Sequence, residues 1–356
     1  MEPNQNKTID ISGISIGKNE PCYIVAEIGI NHNGEIDIAK KLIDIAIKSG
    51  ANAVKFQKRN LDNLYKTEVL QNPNIESQGF EILLDVLKKV ELSDSNYKEI
   101  VHYCNKKNIT FLCTAWDSDS VDFLETLDIP AYKIASADMT NFPLIKHIAK
   151  TKKPIIVSTG MATMKEIEKT VDFLKNERAD FILLHSNSTY PAPIESLNLN
   201  LIPIFEQKFQ IPIGYSGHEQ EIIPSVTAAI LGAVIIERHI TLDKKMEGID
   251  QSSSLEPLEL IQLINFIRES EKSRGKPIKK MTRGEILQRE VLGKSIICSS
   301  DIEKDGIFTE NNLEVKGPAK GISPQFYYEL LGKKSNRSIK KGAYIQKDDY
   351  DSWNES

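Results

Sequence analysis

Two histidines stand where apolar, β-type runs turn polar. His218 lies in IPIGYSGHE (211–219), and His239 lies in AVIIERHITLD (233–243). Imidazoles on neighbouring strands, with acid or carbonyl oxygens beside them, can hold one divalent metal and leave positions open for substrate. Other runs of the same kind also finish in polar groups. They offer Glu27; Lys55 and Gln57; Thr114; Lys133, Ser136 and Asp138; Ser158, Thr159 and Gly160; His185, Ser186, Ser188 and Tyr190; and Ser216. Lys55 and Gln57 are two positions apart and so share one face of a strand. Lysine is almost never buried unless it is paired, so two lysines inside strands point to a bound anion. Hydroxyls beside them complete a cradle for phosphate and carboxylate oxygens.

The elements that must carry these side chains are short β-rich runs alternating with helical patterns. The expected strands cover 23–30, 53–58, 110–115, 131–136, 154–159, 181–186, 212–216 and 234–240. Between them run amphipathic stretches such as EIDIAKKLIDIAIKSG (35–50), apolar at helical spacing and closed by Gly. Eight strand–helix units in ~250 residues predict a (β/α)8 TIM barrel, whose active site gathers at the C-terminal ends of the strands. A doubly wound open sheet is the alternative, but the turn after the first strand reads NHNG (31–34), not a dinucleotide fingerprint. After about residue 275 the texture changes to short β segments with charged Gly turns. The organisation predicted is a barrel over 1–275, a linker over 276–290, and a small β-rich domain over 291–356. Within the tail, SSDIEKDGIFTENNL and RSIKKGAYIQKDDY resemble each other weakly.

Composition narrows the function class. A formal charge of −5 over 356 residues, with no long basic run, gives no face for nucleic acid. Cys22, Cys104, Cys113 and Cys298 have neither metal nor disulfide spacing and read as buried, reduced thiols. Neither a signal peptide nor a run of ~20 apolar residues occurs, so no membrane association and a cytoplasmic location are expected. His32 is expected to fix the NHNG turn, His102 and His147 to sit on helices, and Arg238 to form a structural ion pair.

The ordered motifs AEIGINHNG (26–34), AVKFQ (53–57), KIASAD (133–138), STGM (158–161), YSGHE (215–219), ERHITLD (237–243) and GIDQSSSLEP (248–257) resemble the sialic acid synthase family. The tail resembles that family's antifreeze-like (SAF) domain, so the likeness spans nearly the whole chain. It implies a transferase that condenses phosphoenolpyruvate with the aldehyde of an N-acylated mannosamine-type sugar and releases phosphate. It implies Mn2+ or Mg2+ on His218 and His239, acting as a Lewis acid on the sugar aldehyde. Lys55, Thr114, Lys133, Ser136, Ser158 and Ser216 match the phosphoenolpyruvate-binding positions. Glu27, Gln57, Tyr190 and Asp250 match sugar-side contacts, and Asp138 matches a position that is commonly Glu. Glu27 or Asp138 is expected to position or deprotonate groups near the aldehyde and water. The family packs as a homodimer in which each SAF domain covers the partner's barrel mouth.

This chain departs from the family at several points. Gly217 replaces an Asp common in bacterial members, as in animal-like ones. Gly248-Ile249-Asp250-Gln251 stands where GPDH is common, and Ser188 where Asn or Thr is frequent. Lys316-Gly317-Pro318-Ala319-Lys320-Gly321 lacks the arginine of the bacterial KRPGNG loop, leaving Lys320 or Lys316 in its place. The acceptor read as favoured is N-acetylmannosamine. A 2,4-diacetamido-6-deoxy (legionaminic-type) sugar and N-acetylmannosamine 6-phosphate are the alternatives. Three readings compete with this one: a Schiff-base lyase using Lys133, a synthase acting on arabinose phosphate, and a non-catalytic barrel with a carbohydrate- or ice-binding tail.

Overall fold

A computed structural model describes residues 7–72 and 80–351. The chain divides into two compact units, Met1–Gly275 and Lys276–Ser356. The first unit opens with a hairpin, β1 (Ile9–Ile11) and β2 (Ile14–Ile16). Eight parallel strands follow: β3 (Tyr23–Gly29), β4 (Ala53–Lys58), β5 (Thr110–Ala115), β6 (Tyr132–Ile134), β7 (Ile155–Ser158), β8 (Phe181–Ser186), β9 (Ile213–Gly217) and β10 (Ile235–His239). They close into a barrel in sequence order, β10 pairing back on β3. The TIM-barrel expectation is met, and each strand lies within a residue or two of its expected bounds.

Side chains alternate across the barrel wall, as the two-residue period of a strand requires. Ile24, Ala26, Val54, Phe56, Cys113, Ile134, Val157, Leu183 and Ile236 face outward into the main apolar core beneath the helices. Val25, Ala53, Leu112, Ala131, Ile156, Ile182 and Ile235 face inward and form a second core at the N-terminal end. Ile9, Ile11 and Ile16 of the hairpin join that inner core and close the floor of the barrel. Apolar residues thus fill the lower half of the interior, and the polar members of each strand stand above them. The four cysteines are free and buried, as expected. Among the described residues no helix is long and apolar enough to cross a membrane.

The second unit packs its own core around Ile296, Phe308, Leu313, Leu330, Ile339 and Ile345. Its regular strands, β11 (Ser295–Cys298) and β12 (Leu313–Lys316), are antiparallel. The rest of its β character consists of isolated bridges, one of which joins the two similar tail pieces at Ile302 and Ile339. The stretch read as a linker, 276–290, carries most of a helix, Arg283–Leu292. That helix starts at a Thr282/Glu285 capping box, in which each side chain meets the other's backbone amide.

Candidate active site

Strand register sets the site. Glu27 lies level with Lys55 and with His239, Gln57 with Thr114, Thr114 with Lys133, and Ser186 with Ser216. These side chains ring the upper barrel and enclose a mouth of about 90 Å³. Glu27, Lys55, Gln57, Thr114, Lys133, Ser136, Ser158, Ser188, Tyr190, Ser216, His218 and His239 all line it. Trp116, Met161 and Glu237 line it too, although sequence reasoning passed over them. Glu237 was readable in principle, because it sits two residues before His239 and so shares its inward face.

The buried charges form one network. Lys55 Nζ lies 2.8 Å from Glu27 Oε2 and 3.7 Å from Glu237 Oε1, and it donates to Thr114 Oγ1 at 3.0 Å. Lys133 Nζ lies 3.4 Å from the same Glu237 oxygen, which also accepts from Ser216 Oγ at 3.0 Å. Burial pushes Glu237 up, but Lys133 and Lys55 outweigh it and hold the carboxyl down at about 2. Burial also pushes Lys133 below the ordinary lysine value, and Lys55 adds to that shift. Both lysines face Glu237, and Lys55 lies closer still to Glu27, so an anion placed beside Lys133 would meet charge already fixed in position.

The strand ends from Lys133 onward bring a concentration of hydroxyls to the same mouth. Gly160 N donates to Ser136 Oγ at 3.0 Å, and Ser136 Oγ stands 3.4 Å from Ser186 Oγ. A Cβ at Gly160 would fall 2.3 Å from Ser188 Oγ, so glycine is what lets the backbone approach these hydroxyls. Ser158 Oγ is buried with no hydrogen-bond partner among the described residues.

The two imidazoles are 5.6 Å apart between ring centroids. His218 Nδ1 donates to the Asn187 carbonyl at 2.7 Å, which leaves Nε2 to meet the Tyr190 hydroxyl at 3.0 Å. Burial, helped by His239, lowers His218 to about 3, so the ring is neutral, as a metal ligand must be. His239 Nδ1 is buried without a hydrogen bond, 3.8 Å from Asp250 Oδ2. Two rings, His218 neutral and His239 with an orphaned ring nitrogen, fit a divalent cation. Among the described residues no cluster of three or more His, Cys, Asp or Glu side chains surrounds one, so its other ligands would be solvent or substrate oxygens.

Several expected residues lie elsewhere. Asp138, on the turn Ser136–Asp138, does not line the mouth; its Oδ1 accepts from Asn141 Nδ2 at 2.9 Å, and burial raises its pKa. Asp250 reaches His239 but stands outside the lining. Lys320 belongs to the second unit, where its amide donates to Ser295 Oγ at 2.9 Å. His185 points outward to the Leu197 carbonyl at 2.7 Å. His32 Nδ1 accepts from Gly34 N at 3.1 Å and so holds the NHNG turn. Arg238 is fully buried and paired with Glu219 at 3.0 Å, a structural contact. Gln251, at the family's His position, accepts from Thr241 and donates to the Asn31 carbonyl, tying the 248–255 loop to the barrel.

Comparison with known proteins agrees with the barrel and its separate tail domain. Residues 42–279 match the NeuB family, and residues 293–351 match the SAF domain. The chain is 42% identical to N,N'-diacetyllegionaminic acid synthase of Campylobacter jejuni, over 91% of this chain and 98% of that protein. It is 38% identical to human N-acetylneuraminate-9-phosphate synthase, over 90% of each. Among solved structures, the N-acetylneuraminic acid (sialic acid) synthetase of Leptospira borgpetersenii superposes with a TM-score of 0.72 at 32% identity. That superposition covers 80% of this chain and 95% of the other.

Proposed function

This chain belongs to the NeuB family, and we propose that it condenses phosphoenolpyruvate with an N-acylated mannosamine-type sugar to give a nonulosonic acid and phosphate. The observation that carries the reading is the juxtaposition of lysines and serine hydroxyls with two imidazoles at one barrel mouth.

The cradle would take the phosphate and carboxylate of phosphoenolpyruvate. Lys55, Lys133 and the serine hydroxyls supply positive charge and donors that need not reorganise as charge develops. A bond forms between the methylene carbon of phosphoenolpyruvate and the sugar aldehyde carbon. Water adds to the central carbon, and the C–O bond to phosphate breaks. Glu27, tied to Lys55 and accepting from Gln57 Nε2 at 2.9 Å, is placed to hold a proton near the aldehyde and the attacking water. His218 and His239 would hold Mn2+ or Mg2+, which supplies Lewis acidity toward the aldehyde oxygen. Asp250 would orient His239.

N-acetylmannosamine is the favoured acceptor. The 42% identity to a legionaminic acid synthase supports a 2,4-diacetamido-6-deoxy sugar as the second reading. A homodimer whose SAF domain covers the partner's mouth is part of the proposal. It is supported by Ile286, Leu287, Val291 and Leu292, which stand exposed on the helix Arg283–Leu292.

The test is phosphate release from phosphoenolpyruvate with Mn2+, using N-acetylmannosamine, its 6-phosphate and the diacetamido sugar separately, with and without chelator. Chelator-sensitive release with one sugar is expected. Release that survives chelation would remove the metal from the proposal, and no release with any of the three would remove the acceptor class.

A further inference from the structure

The two strand ends that carry the histidines are joined a second time, behind the barrel wall. Glu219 follows His218, Arg238 precedes His239, and the two side chains pair at 3.0 Å. Both are at most 1% exposed. Glu237 and His239 line the mouth, so Arg238 between them faces the other way. Its guanidinium holds more than a carboxylate. Nη1 also donates to Ser225 Oγ at 2.9 Å and to the Glu221 carbonyl at 3.0 Å, and Nη2 donates to the Glu219 carbonyl. Glu219 Oε1 accepts from Ser225 Oγ at 3.0 Å, and Oε2 accepts from the Tyr215 hydroxyl at 2.8 Å. Tyr215 stands on β9, Arg238 on β10 and Ser225 on the helix Ile223–Ile230, so three elements meet at one buried pair.

The ladder between β9 and β10 has Arg238 opposite Gly217 as its last step. His218 lies just past it, and the segment 219–221 is tied to β10 by the Arg238 side chain instead. A Cβ at Gly217 would fall 2.6 Å from Glu219 Oε2, so glycine leaves the room that this carboxylate fills. That gives the departure at Gly217 a physical reason. Histidine ligands are ordinarily oriented through the ring nitrogen that does not meet the metal. His218 has such a bond, to the Asn187 carbonyl, whereas His239 Nδ1 has none. The placing of His239 relative to His218 therefore falls to the backbone beside each ring. A buried ion pair is often no more stabilising than apolar side chains of the same volume, so stability is a weak reason for this one.

We propose that Arg238 and Glu219 are positioning residues, whose pairing sets the spacing of His218 and His239 for a shared divalent cation. The assignment rests on the proposed metal role of those histidines. Neither residue lines the mouth, so each acts through the histidine beside it.

Mn2+ binding to the full-length protein, followed by electron paramagnetic resonance without substrates, tests the pair apart from turnover. The parent should bind Mn2+, and His218→Ala should lose it. Arg238→Met combined with Glu219→Leu removes both charges and keeps the volume, a change that is often neutral or stabilising for the fold. Arg238→Lys keeps the charge and loses the fork. Each should weaken Mn2+ binding about tenfold or more, the scale on which residues behind metal ligands act. Ile11→Ala, at the barrel floor, lowers stability without touching the pair and should bind Mn2+ as the parent does. Parent-like affinity in the paired replacement, or an equal loss in Ile11→Ala, would overturn the positioning role and leave the metal reading standing. A parent that binds no Mn2+, or binds it as well without His218, would sink the metal reading and the role of the pair with it.

Discussion

Glu237 is where the charge balance of the mouth is decided. It is buried, it faces two lysines, and its carboxyl is held at about 2 against an ordinary value of 4.5. A carboxyl depressed on folding contributes stability that is present above the unfolded value and lost as pH falls through the folded one. Glu237→Gln should therefore destabilise the protein at pH 7 by roughly 3 kcal/mol, the scale for breaking a buried pair. The difference from the parent should shrink between about pH 4.5 and 2, as urea titrations across that range would show. A constant difference would mean that Glu237 acts through packing. Gly160 makes a separate point. Its φ is not left-handed, so Gly160→Ala meets no backbone strain, only the hydroxyls of Ser188, Ser186 and Ser136. That substitution should weaken phosphoenolpyruvate affinity at least tenfold, by the ~1.4 kcal/mol per decade rule, while the melting temperature moves little. The lysines and histidines of the site were legible in the sequence because such groups inside apolar runs need a reason. Trp116 was not, because nothing in AWD distinguishes an indole that lines the mouth from one on the surface.

At the level of elements, the eight barrel strands were legible almost to the residue. Each is an apolar run bounded by turn residues, and both faces are buried at the base. The hairpin β1–β2 was not: two three-residue strands are too short for a period to show, and Ile9, Ile11 and Ile16 read as scattered apolar residues in a polar leader. Yet Ile11 and Ile16 are almost wholly buried against the barrel floor. Ile11→Ala should cost about 2–5 kcal/mol through lost transfer energy and the cavity it leaves, measured by urea unfolding. The turnover number should hold, because the floor is at the opposite end of the barrel from the mouth. A fall in turnover at unchanged stability would show that the floor shapes the site. The helix Arg283–Leu292 was missed for a different reason: its lysine-rich approach, 276–280, reads as a solvated linker, and its capping box lies just beyond.

At the scale of the whole molecule, each unit has its own apolar core. Among the described residues, the two cores of the barrel draw none from beyond Ile267, and the core of the second unit draws none from before Ile296. A chain ending at Lys280 should therefore fold, with a cooperative melt and an intact anion cradle, since every cradle residue precedes Lys280. In the proposed homodimer the SAF domain of one copy would cover the other's mouth, and the two properties would separate on truncation. Light scattering should give twice the 40.1 kDa of one chain for the full-length protein, and a monomer for the truncated one. Under that proposal phosphoenolpyruvate affinity should stay within a few-fold, while the KM for the acceptor sugar rises tenfold or more, because the covering domain would act on the sugar side alone. A truncated monomer with unchanged acceptor KM would show that the barrel recognises its sugar unaided. That outcome would shift the weight of acceptor recognition onto Gln57 and Tyr190, which line the mouth.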